Sequence, residues 1–125
     1  MTNKTVLIVE DSEYLAESLA DMLNLRGHTA LIARNGLDGI SQAFQEHPDL
    51  ILLDIRLPDI DGYEVYQRIK SDSWGKDANI VILTASESTE NISKNIDLPA
   101  DHVLFKPDWS LPNLMEKIDS FLEVS

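Results

Sequence analysis

Four aliphatic runs each end in a residue able to take part in phosphorus chemistry: Val6-Leu7-Ile8-Val9 precedes Glu10-Asp11, Leu50-Ile51-Leu52-Leu53 precedes Asp54, Ile80-Val81-Ile82-Leu83 precedes Thr84, and Val103-Leu104-Phe105 precedes Lys106. A carboxylate at a strand end can attack phosphorus and form an acyl phosphate if repulsion between anions is neutralised. Asp54 is the candidate nucleophile. Magnesium binds one or two carboxylates together with phosphate oxygen and retains several waters, so Glu10 and Asp11 beside Asp54 form a candidate metal site. Phosphoryl transfer depends on positioning and on stabilising charge on the transferred oxygens. Thr84 can donate a hydrogen bond to those oxygens, Lys106 can cancel charge, and the small Ala85 leaves room for the incoming group. Without metal, three clustered carboxylates should raise at least one pKa.

Taken singly, each residue has an ordinary explanation. An Asp after an apolar run commonly starts a loop, a Thr after a strand commonly makes a turn, acids are favoured near helix N-termini, and a lysine is usually a surface charge. Their joint placement at the ends of four different runs is what the ordinary explanations leave unaccounted for. Continuous aliphatic runs read as strands buried on both faces, as in a parallel sheet covered by helices, where chemistry lies beyond the carboxyl ends of the strands.

The segments between the runs have helical spacing. Leu15, Leu19, Met22 and Leu23 mark one face, with Gly27 as the stop, and a weaker strand follows from Thr29 to Ala33. Asn35 caps a predicted helix carrying Leu37, Ile40 and Phe44, which ends before Pro48, and a helix from about Gly62 to Lys70 presents Val65 and Ile69. Ser110 caps the last helix, whose stripe is Leu111, Leu114, Met115, Ile118 and Leu122. Between Ser86 and Pro99 only Ile92 and Ile96 keep helical spacing among Ser, Thr, Asn and Asp, so a short or mobile fourth helix is predicted. Five strands alternating with five helices imply an α/β fold with a right-handed, doubly wound parallel sheet, in a single domain over residues 1–125.

The formal net charge is −12, from 22 acidic and 10 basic residues, which opposes direct nucleic-acid binding. The acids are mostly scattered, as on solvated helix faces. No apolar stretch reaches membrane-spanning length, and there are no cysteines or secretory leader pattern, so a cytoplasmic protein with no membrane association is expected. His28, His47 and His102 lack ligand spacing, and Trp74-Gly75 reads as a loop tucked on the surface.

The text Val6-Leu7-Ile8-Val9-Glu10-Asp11, Leu52-Leu53-Asp54-Ile55-Arg56-Leu57-Pro58-Asp59-Ile60-Asp61-Gly62, Leu83-Thr84-Ala85 and Phe105-Lys106-Pro107 resembles the response-regulator receiver domain of two-component signalling. The resemblance covers essentially the whole chain. It implies a flavodoxin-like fold with strand order 2-1-3-4-5, and Asp54 as phosphoacceptor. It also implies that Glu10, Asp11, Asp54 and the Arg56 carbonyl hold Mg2+, that Thr84 and Lys106 contact the phosphoryl oxygens, and that the Lys106-Pro107 bond is cis. The implied partners are a histidine kinase or histidine phosphotransfer protein and a downstream output protein or effector domain, with a phosphorylation-dependent homodimer as a further option. Self-dephosphorylation would be its only other chemistry, so it is not a conventional enzyme. Signalling would use the face made by the fourth helix, fifth strand and last helix. With no effector segment following, the chain reads as a stand-alone regulator or as a receiver cut from a larger protein.

Pro58 and Gly62 bracket the loop after Asp54, with Gly62 placed where a side chain would crowd the turn and Asp59 and Asp61 as turn-formers. Two departures from the family pattern concern transmission. Val103 stands where an aromatic switching residue is common, and Asp108-Trp109 follows Lys106-Pro107 where Phe is frequent. Trp109 is either a partner anchor or packs over the start of the last helix. Arg56 and Ser86, two residues beyond Asp54 and Thr84, lie where receivers tune hydrolysis; Arg56 either shields the acyl phosphate or points to solvent, and Glu13 and Tyr14, starting the first helix, are candidates to border the site. The alternative function is a receiver-like interaction module that does not use phosphate. An aspartate-nucleophile phosphatase would need an Asp-x-Asp motif, which Glu10-Asp11-Ser12 lacks, and a nucleotide binder would need a glycine-rich loop after the first strand.

Overall fold

The computed structural model describes residues 3–85, 91, 92, 94 and 96–123. Strands β1 (Thr5–Val9), β2 (Thr29–Ala33), β3 (Leu50–Asp54), β4 (Ile80–Thr84) and β5 (Val103–Phe105) form one sheet in the order β2-β1-β3-β4-β5. Every pairing is parallel. Helices α1 (Glu13–Leu25), α2 (Gly36–Glu46), α3 (Gly62–Lys70) and α4 (Leu111–Glu123) cover the sheet. Among the described residues no helix is long and apolar enough to cross a membrane.

β3 and β4 are buried throughout because helices cover both faces, so their sequences run as unbroken aliphatics. Alternation then divides the core into two layers. Val6, Ile8, Leu50, Leu52, Val81, Leu83 and Leu104 face α1 and α4, while Leu7, Val9, Ile51, Leu53, Ile80, Ile82 and Val103 face α2 and α3. The helix predicted over Ser86 to Pro99 falls in large part outside the described residues, so four α-helices are described where five were expected. Its two core positions, Ile92 and Ile96, are buried in the α2–α3 layer.

The helix ends follow the expected caps. Asn35 accepts from the Asp38 amide at 2.8 Å and Ser110 from the Asn113 amide at 3.2 Å, and the chain leaves α1 through Gly27 at φ 86°. The core face of α2 departs from the expectation. Gly36, Gly39, Ile40 and Ala43 are buried, while Leu37 and Phe44 are exposed. The reason is clearance, since a Cβ at Gly39 would lie 2.9 Å from Val9 Cγ1. Small residues bring α2 close to β1, and Phe44 is left at the rim, edge-on to Trp74 with ring centroids 6.3 Å apart. His47 stacks on the other side of this arrangement, 4.4 Å from Trp74 and nearly parallel. The tryptophan loop is thus pinned to the end of α2.

The Lys106-Pro107 bond is not cis, contrary to the family expectation, for no cis peptide occurs among the described residues. Lys106–Asp108 instead form a 3-10 turn closed by the Trp109 amide on the Lys106 carbonyl at 3.1 Å. Proline suits the opening of such a turn because its φ is preset and no N–H is needed there. Trp109 packs against the α1–α4 layer, partly buried.

Gly62 is the tightest junction between sheet and helix near Asp54. Its amide donates to the Ile55 carbonyl at 2.7 Å, and a Cβ would fall 2.7 Å from Ile55 Cα and closer still to the Asp54 carbonyl oxygen. Gly62→Ala is therefore expected to destabilise the fold by about 1–3 kcal/mol through overpacking against immobile backbone. Urea unfolding measures this; a variant as stable as the parent would show that the junction opens freely.

Candidate functional site

The sheet register brings the acids together. Val9 pairs with Leu53 and Asp54 with Leu83, so Glu10 leaves β1 beside the end of β3. Thr84 pairs with Phe105, which delivers Lys106 at the same edge. By alternation Glu10, Asp54 and Lys106 continue the series Ile8, Leu52 and Leu104 and project on the α1–α4 side, whereas Thr84 continues Ile82 on the side of Val103.

Among the described residues Glu10, Asp54 and Thr84 are the buried polar ones, at 2%, 5% and 0% exposure. The Lys106 ammonium sits between the first two, 2.6 Å from Glu10 Oε1 and 3.2 Å from Asp54 Oδ2. The other carboxylate oxygens are held by backbone: the Ser12 amide donates to Glu10 Oε2 at 3.0 Å and the Arg56 amide to Asp54 Oδ1 at 3.2 Å. Asp11 is exposed, yet one carboxylate oxygen from each of Glu10, Asp11 and Asp54 lies within 4.8 Å of the others. Three hard oxygen donors at that spacing fit a small divalent cation such as magnesium. The Arg56 side chain is exposed and its backbone lies in the loop between Asp54 and Gly62; Ala85 is exposed beside Thr84.

Burial pushes the Glu10 carboxyl above the ordinary range; hydrogen bonds from Lys106 and the Ser12 amide oppose this without cancelling it, and the Asp54 charge adds a smaller upward push. The expected clustering effect is thus present but secondary to desolvation. Burial alone would lower the Lys106 pKa, but its hydrogen bond to Glu10 and the charges of Glu10 and Asp54 outweigh that and raise it. A raised folded-state carboxyl pKa gives stability that is full below the unfolded value and is lost as pH rises through the folded one. The Glu10 contribution is therefore greatest at low pH and falls as pH rises, and the Lys106 ammonium offsets part of what burying the carboxylate charge costs.

The remaining candidates fall elsewhere. His28 accepts from the Lys4 amide at 3.1 Å, His47 stacks on Trp74, and His102 pairs with Asp101 at 3.0 Å. Asp61 caps α3, accepting from the Glu64 amide at 2.9 Å. Tyr14 is 75% exposed at the start of α1, and Ser86 lies outside the described residues. Two contributions were not foreseen. The Ser12 bond to Glu10 comes from a backbone amide, which any residue but proline would supply, so the residue type at position 12 does not signal it. The reach of Asp59 to the Gly36 and Leu37 amides, 2.7 and 2.9 Å, crosses 23 and 22 residues and carries no local signal.

Removing the ammonium should expose the cost of the buried acids. Lys106→Met is expected to lose about 2–3 kcal/mol at pH 7.5, below the value for a fully buried pair because the lysine is partly exposed. The loss should shrink at pH 5 as Glu10 takes up a proton. Urea unfolding at the two pH values checks this; an equal loss at both would assign the effect to packing.

Comparison with known proteins gives a consistent picture. The family model for the response regulator receiver domain matches residues 6–119. The polar-differentiation response regulator DivK of Brucella ovis is 32% identical over 119 residues, covering 95% of this chain and 96% of its own length. Response regulator MprA of Mycobacterium ulcerans is 32% identical over 117 residues, but this chain spans only 49% of it. A CheY-like receiver domain protein from Methanospirillum hungatei superposes with a TM-score of 0.84 at 28% identity, covering 98% of this chain and 95% of that one. The chemotaxis response regulator CheY4 of Vibrio cholerae shares the fold, with a TM-score of 0.85 at 24% identity, covering 96% of this chain and 99% of that one. With the family model spanning both layers of the sheet and every strand end of the acidic site, the chain belongs to the response regulator receiver domain family.

Proposed function

We propose that this chain is a cytoplasmic phosphorylation-dependent switch in which Asp54 accepts a phosphoryl group from a histidine kinase or histidine phosphotransfer protein. The observation that carries this reading is the state of the Asp54 carboxylate. It is buried at a strand end, with one oxygen on Lys106 and the other on the Arg56 amide, beside two further acids. An Asp54 oxygen attacks phosphorus and the P–O bond forms as the P–N bond of the donor phosphohistidine breaks; the bonding pair stays on that nitrogen, and the donor leaves as neutral imidazole because its other ring nitrogen already carries the proton. Glu10, Asp11, Asp54 and the Arg56 carbonyl would hold Mg2+, which when bound neutralises charge between the attacking carboxylate and the phosphoryl oxygens.

Lys106 is already at the acceptor carboxylate and cancels charge on the transferred oxygens. Thr84 ends the neighbouring strand and supplies the hydroxyl expected to meet the phosphoryl group, with Ala85 leaving the approach open. Hydrolysis of the acyl phosphate by water at the exposed side of the loop resets the switch, and the output surface is the face made by the fourth-helix segment expected over Ser86 to Pro99, β5 and α4.

Intact mass after incubation with acetyl phosphate and Mg2+ tests the reading. One phosphate should add to the parent chain in a magnesium-dependent manner and none to Asp54→Asn. No gain with any donor would favour an interaction module that does not use phosphate. Val103 is buried in the α2–α3 layer rather than at a rotating surface position, so Val103→Ala should cost about 1–3 kcal/mol of stability. The phosphorylated fraction should stay almost unchanged; its severe loss would place Val103 in the transfer machinery.

A further inference from the structure

We propose that Asp59 is a positioning residue for the metal-binding loop, holding the Arg56 backbone in register by clamping the loop to the N-terminus of α2. This rests on the proposal that the Arg56 carbonyl joins Glu10, Asp11 and Asp54 around Mg2+.

The Asp59 side chain spends both carboxylate oxygens on one task. Oδ1 accepts from the Gly36 amide at 2.7 Å and Oδ2 from the Leu37 amide at 2.9 Å. These are two of the amides that the first turn of a helix leaves without partners, and the positive end of the helix dipole favours an anion there. The local cap is already present, because Asn35 takes the Asp38 amide at 2.8 Å. Asp59 therefore adds something that α2 does not need for its own start: a charge-assisted, two-point tie between α2 and a loop more than twenty residues away. Burial would raise the carboxyl pKa, but the Leu37 and Gly36 amides outweigh it and lower it, so the anion persists throughout the neutral range.

Ile60 makes the same junction from the apolar side, with its Cγ1 2.5 Å from where a Cβ on Gly36 would stand. The loop is then fixed at three places. Asp54 belongs to the sheet, Ile55 accepts from Gly62, and Asp59-Ile60 rest on α2. Arg56 lies between the first two anchors and the third, with its amide on Asp54 Oδ1. The clamp at Asp59 restrains the outer part of the loop, and with it the direction of the Arg56 carbonyl.

The experiment compares Asp59→Ala, Asp59→Asn and Asn35→Ala with the parent chain. Mg2+ binding is measured by isothermal titration calorimetry, and amide hydrogen exchange at Arg56 and Gly62 in metal-free protein. Asp59→Ala is expected to weaken Mg2+ binding about tenfold, the lower end of the effect of an outer partner on a metal ligand, and to speed exchange at both amides. Asp59→Asn keeps one acceptor oxygen and should fall between. Asn35→Ala removes the cap of α2 without touching the loop; it should lower the unfolding midpoint yet leave Mg2+ affinity and loop exchange as in the parent. Parental affinity and exchange in Asp59→Ala would overturn the proposal. Equal weakening in Asn35→Ala would also overturn it, by reducing Asp59 to a second cap of α2. Failure of the parent chain to bind Mg2+ would instead remove the metal reading, and the exchange measurements would still decide whether Asp59 holds the loop.

Discussion

The Lys106 ammonium between Glu10 and Asp54 is the interaction on which the acidic edge depends. Two carboxylates buried side by side would each be driven toward protonation by loss of water and by the other's charge. One cation, bonded to both and partly open to solvent, opposes that drive at Glu10 and gives each carboxylate a charged partner. That arrangement requires three strands to end at the same level. The parallel register of β1, β3 and β4, extended to β5, supplies it, and the double covering by helices supplies the burial that makes the charges interact strongly.

Much of this was legible in the chain because parallel strands buried on both faces have a distinctive text. The runs ending in Glu10, Asp54, Thr84 and Lys106 mark their own ends, and Asn35, Gly62 and Ser110 mark helix starts. What was illegible depends on clearance between elements. Nothing local distinguishes Leu37 and Phe44 from core residues; they lie at the rim because Gly39 lets α2 sit close to Val9. The span from Asp59 to α2 likewise arises from how separated segments meet. A family pattern or a spacing rule does not contain that information.

Val103 fits this distinction. In the sequence it reads as the absence of an aromatic residue, whereas in the fold it is a packed member of the α2–α3 layer, paired with Ile82 and sharing a cluster with Ile92 and Ile96. Tyr66, in the same cluster, donates from its hydroxyl to the Asp97 carbonyl at 3.2 Å, so an aromatic side chain does join the sheet-covering helix to the segment leading into β5. The apolar layer is continuous where the family pattern would have placed a ring free to turn.

The pleat that divides the core also divides the strand ends. By alternation Glu10, Asp54 and Lys106 continue one layer, while Thr84 continues the other, in which Val103 packs. The sheet is therefore a partition between a side where charge is held and a side where apolar packing borders the chain's later segments. Asp54 and the apolar positions Ile92, Ile96 and Val103 therefore stand on opposite sides of that partition, with Thr84 ending a strand buried from both sides between them.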